Sequence, residues 1–140
     1  MKTKTKVIIV TLVLTVITFL LARVIWPDMM GAPVPTSFQL PFFIIVAIVE
    51  DIAFGLGVSF LLFGYKSVKN AMPEAKRGAL ATYISIAWLL MNWWPHDNLH
   101  RVNGMNLSGL IKIDIGFHIT LIVAAIIVAV YFLRAVKRNS

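Results

Sequence analysis

Four apolar runs, each of roughly the length needed to cross a bilayer, leave this chain few folds to choose from. They predict spans over Val7–Trp26, Pro41–Tyr65, Gly78–Trp94 and Gly109–Leu133. In hydrocarbon no water satisfies the backbone, so each run must close its own hydrogen bonds as a helix. The expected fold is therefore all-α. It is a polytopic membrane protein with four transmembrane helices in a bundle, all in one domain covering residues 1–140. A short interfacial helix is expected between the third and fourth spans.

Composition agrees with that reading. Hydrophobic residues make up 59% of the chain and charged residues 14%, and the charges are bunched at the ends of the runs. The formal net charge of +7 does not imply nucleic acid, because basic clusters beside apolar spans are what membrane topology requires. The chain has no cysteine, which excludes disulfides, thiolate metal sites, iron–sulfur clusters and cysteine nucleophiles. Lys2, Lys4 and Lys6 precede the first run, as in a signal peptide. The run outlasts signal-peptide length and shows no small-residue cleavage site, so a retained helix is expected.

The basic residues also orient the chain. The N-terminus, the linker after the second run and the C-terminus hold Lys2, Lys4, Lys6, Lys66, Lys69, Lys76, Arg77, Arg134, Lys137 and Arg138. The other side holds only Arg23, Arg101 and Lys112. Both termini are expected in the cytoplasm of a cell-membrane protein. Trp26, Trp93 and Trp94 would then form an aromatic belt at the outer interface.

Small residues mark where helices approach. Thr11, Thr15, Thr18 and Ala22 recur at helical spacing in the first run; Ala47, Asp51, Gly55 and Ser59 do so in the second. Asp51 and Gly55 are expected to serve packing or to support a site, and their seam could also receive a partner. Pro95 predicts a change of direction at Trp94, followed by a short helix over 95–102 that stops at Asn103-Gly104. Asn106 or Ser108 can cap the last run.

Ionisable groups inside a bilayer are expensive and need a partner or a purpose. Glu50 lies nine residues after Pro41 and His118 nine after Gly109, so both sit about 14 Å below the outer end of their spans. Asp114 and His118 are four apart and share a face, as do His96 and His100 if their segment is helical. All three histidines and five of the six acidic residues thus fall on the outer half. His96, His100, His118, Asp114, Glu50 and Asp97 form a candidate metal set. Imidazoles and carboxylates suit a divalent ion or copper, with copper or zinc expected. Met29, Met30, Met91 and Met105 on the same side would favour copper(I). Only His118 is deep, so a bis-histidine haem lacks its second ligand.

No phosphate loop, nucleophile elbow or His-Glu-x-x-His motif occurs, and no catalytic assignment follows. The sequence therefore reads as a small metal-binding membrane protein. It would contact lipid and other membrane subunits, in a redox or oxygenase complex if the ligand type is a guide. Two alternatives remain. One is a proton- or ion-translocating element using Glu50, Asp51, Asp114 and His118. The other is a structural subunit whose polar groups only satisfy each other.

Overall fold

A computed structural model describes residues 2–28, 34–72, 76–104 and 106–139. Among these residues all regular structure is helical. The elements are α1 (Thr3–Ile25), α2 (Leu40–Phe63), α3 (Tyr65–Ala71), α4 (Lys76–Met91), α5 (Trp93–Asn103) and α6 (Leu107–Asn139). Three stretches are long and apolar enough to cross a membrane: Thr3–Ile25, Leu40–Phe63 and Leu107–Arg134. The third predicted span is a shorter apolar helix, Arg77–Met91. The 16 residues of α4 rise about 24 Å, short of a hydrocarbon core of about 30 Å.

The molecule is polar inside and apolar outside. Its buried polar residues include Thr11, Thr18, Asp51, Ser59, Thr82, Ser85, Asn92, His96 and Asn98. The buried hydrophobic residues are small apart from Trp94, and long apolar faces of α1, α2 and α6 are exposed. Lipid replaces water around such a surface, so helix contact relies on close approach and interhelical hydrogen bonds.

The main helix pairs are α1 with α2, α2 with α4, and α4 with α6, a row in which α5 also touches α2 and α6. The first pair joins the two small-residue faces. Thr11 and Ser59 share a hydroxyl hydrogen bond of 3.0 Å, and Ser59 donates to the Val7 carbonyl at 3.3 Å. A Cβ on Gly55 would lie 2.7 Å from the Thr11 carbonyl oxygen. The Asp51 seam is thus covered by α1, which removes it as a surface for another subunit. Gly57, on the opposite face of α2, lies against Leu90 and Met91 of α4.

The helix break before the histidines falls at Asn92, earlier than Pro95 suggests. Trp93, Trp94 and Pro95 form the first turn of α5, where the missing proline N–H is not needed. The break is also slight: Asn92 keeps helical angles, and the His96 N–H donates to its carbonyl at 3.0 Å. The predicted linker after the second span is largely helical, as α3. Trp94 is only 8% exposed, so it does not act as a free interfacial anchor. Its ring packs on Phe54 at 4.9 Å and on Trp26 at 5.8 Å, which fastens α5 to α2 and to the end of α1. Trp93 is exposed.

At the other end of α5, Gly104 adopts φ 57° and ψ −130°, a conformation that side chains disfavour. The Gly109 N–H then donates to Asn106 Oδ1 at 3.3 Å, a side-chain cap on α6. This turn sends α6 back along α5 and sets Asp114 opposite the histidines.

Candidate metal centre

Two turns of α5 and the start of α6 build the site. His96 and His100 are one helical turn apart, and their Nε2 atoms approach to 3.1 Å. Asp114 Oδ1 lies 3.1 Å from His100 Nε2 and 3.8 Å from His96 Nε2. One atom from each of the three side chains thus lies within 4.8 Å of the others. An ion with four tetrahedral ligands about 2.0–2.1 Å away holds those ligands about 3.3 Å apart. The observed separations bracket that edge length, so the spacing fits one small ion with little movement.

The surroundings orient the first imidazole. His96 is 8% exposed and wedged between Trp93 and Phe117, with ring-centre distances of 6.5 and 5.2 Å. Its Nδ1 lies 3.3 Å from Asp97 Oδ1. A proton on Nδ1 donated to that carboxylate leaves the Nε2 lone pair facing His100 and Asp114, the tautomer that ligates. The same groups can also satisfy each other without an ion, since a His100 Nε2–H can donate to Asp114 Oδ1. His100 and Asp114 are half-buried, which leaves a path to the site from outside.

The remaining sequence candidates fall in different places. His118 is exposed, yet its ring centre is 5.2 Å from that of His96, edge to the cluster rather than in it. Asp97 is adjacent to His96 and faces away from the three converging atoms, toward Glu50 on α2. Among the described residues no ion pair joins Glu50 to His118, although their depths along the two spans match. Matching depth does not bring them together, because α2 and α6 are not a packed pair in the row. Asp51 is 3% exposed and faces Thr18 and Trp94, so it belongs to the α1–α2 contact. Met91 packs toward Gly57, while Met29, Met30 and Met105 lie outside the described residues.

Three supporting residues were not singled out from sequence. Asp28 accepts from Arg101 Nη2 at 2.8 Å and also pairs with Arg23, tying the end of α1 to α5. Asn98 is buried and its amide donates to the Trp94 carbonyl at 2.7 Å. Phe117 closes the side of His96 that faces α6. Of these, only Asn98 carried a signal, as a polar residue between two histidines on a short helix. No protein-family model, curated protein or solved structure matches the chain.

Proposed function

We propose that this is a metal-binding integral membrane protein, and that His96 Nε2, His100 Nε2 and Asp114 Oδ1 hold one ion near the outer face. The convergence of those three atoms carries the reading. Two imidazoles and a carboxylate suit zinc, copper or iron, and of these zinc or copper is the expected occupant. Asp97 orients His96 rather than ligating. The fourth position faces the half-buried side and is left to water or to a small ligand. His118 borders it. In the membrane the chain has four spans, with α4 and the first turn of α5 forming the third, and both termini are cytoplasmic. Its size and short loops suit a subunit of a larger membrane complex.

Protein purified in mild detergent, dialysed against trace metal and analysed by inductively coupled plasma mass spectrometry should carry close to one ion per chain. His96→Ala with His100→Ala should carry none while keeping its helical circular dichroism. A double variant that still retains the ion would place the site elsewhere, and a metal-free wild type would refute it.

A proton relay is the second reading. Glu50 faces Asp97, which is bonded to His96, so exchangeable groups run from α2 into the cluster. Toward the cytoplasmic side of Asp51 and His118, however, the spans carry no acidic residue or histidine that could continue the relay. The metal reading is therefore preferred.

A further inference from the structure

Beside the histidine cluster, α4 and α6 leave a groove of about 430 Å³ lined by Trp88, Lys112, Ile113, Gly116, Phe117 and Thr120. A second groove of about 250 Å³ shares Trp88 and Thr120 with it and continues between Ile84 and Ile127. Together they follow α6 from Lys112 to Ile127. At 1.5 Å per residue these fifteen steps cover about 22 Å. Half of a hydrocarbon core is about 15 Å, so the groove covers the full depth of one leaflet.

Its chemistry is that of a hydrocarbon chain. The polar side chains in its wall are few: the Trp88 indole N–H donates to Thr120 Oγ1 at 3.0 Å, that hydroxyl donates to the Gly116 carbonyl at 2.9 Å, and Ser85 is buried. The rings of Trp88 and Phe117 lie nearly parallel, with centres 5.8 Å apart, and both line the groove. Gly116 borders open space, since a Cβ there would meet nothing within 4 Å, so a larger side chain can project into it without disturbing the helices. At the end near the histidines stands one exposed cation, Lys112, whose stem lines the groove. A lysine so placed presents its ammonium at headgroup level.

We propose that the α4–α6 seam binds one acyl chain of an anionic phospholipid, with the lipid phosphate held by Lys112. The proposal rests on the membrane location and is independent of the metal. A lipid in this position would cover Phe117 and so shield His96 from the bilayer side.

The test is reconstitution into nanodiscs of equal phosphatidylglycerol and phosphatidylcholine, followed by release into mild detergent and native mass spectrometry. Wild type should retain about one lipid, with phosphatidylglycerol favoured about fivefold, the contribution of one surface lysine. Lys112→Gln should retain a lipid but lose the preference. Gly116→Leu should lose the lipid by filling the groove, with unchanged helical circular dichroism. Equal retention of the two lipids by wild type would overturn the headgroup assignment. A Gly116→Leu variant that keeps its lipid would overturn the groove assignment, and so would a wild type that retains none.

Discussion

Asp97 matters more to the candidate centre than its position outside the three converging atoms suggests. Its Oδ1 lies 3.3 Å from His96 Nδ1, where it can accept a hydrogen bond from an Nδ1–H and so leave Nε2 free to ligate an ion. Asp97→Ala should lower metal affinity by about 10–100-fold, the usual cost of losing a carboxylate behind a ligating histidine. Competition with a chelator would measure this, and a loss below twofold would show that Asp97 has no orienting role. Acid should also release the ion. Imidazoles ligate only when neutral, so protons compete with the metal and affinity falls as pH is lowered from about 8 to about 5. Occupancy followed by equilibrium dialysis across that range should decline toward the acid end, and a flat profile would argue against histidine ligands.

At the scale of elements, two contacts of different strength hold α5 against α2 and the end of α1. The Asp28 pairs with Arg23 and Arg101 are partly exposed and are worth at most about 1 kcal/mol each. Trp94 buries a large aromatic surface against Phe54 and Trp26, and edge or offset contacts add about 0.5–1.5 kcal/mol beyond burial. Packing by Trp94 is therefore the dominant restraint on the histidine helix. The α1–α2 contact depends on Gly55 in a similar way. A side chain there runs into the Thr11 backbone, which cannot move aside as a flexible side chain could. Gly55→Leu should destabilise the protein by about 1–3 kcal/mol, the range for overpacking a close contact. A thermal melt in detergent would read this as a lower midpoint; an unchanged midpoint would mean that α1 and α2 are not closely apposed.

For the whole molecule the number of crossings turns on α4. Three helices are long and apolar enough by themselves, while α4 falls short unless the first turn of α5 completes it. Four crossings put the N-terminus, Lys69 and the C-terminus on one side and the exposed Ser108 on the other. Because the chain has no cysteine, single cysteines at residues 2, 69, 108 and 138 report their sides cleanly. In intact cells an impermeant maleimide should label only the variant at residue 108. Labelling of exactly one terminus would establish an odd number of crossings and remove α4 as a span.

The linear chain determined what depends on local pattern. Apolar run length implied helices, and the spacing of threonines and glycines marked the faces on which α1 and α2 meet. The pairing of His96 with His100 followed from helical period alone, because four residues make one turn wherever the helix lies. Tertiary structure decided which residues from different helices meet. Glu50 and His118 lie at equal depth yet do not pair, because α2 and α6 are not neighbours in the row. Asp114 reaches the histidines because the Gly104 turn folds α6 back along α5, and Trp94 is buried because Phe54 and Trp26 happen to surround it. Depth along a helix is a property of sequence, whereas the direction a face points is set by the neighbour it packs against.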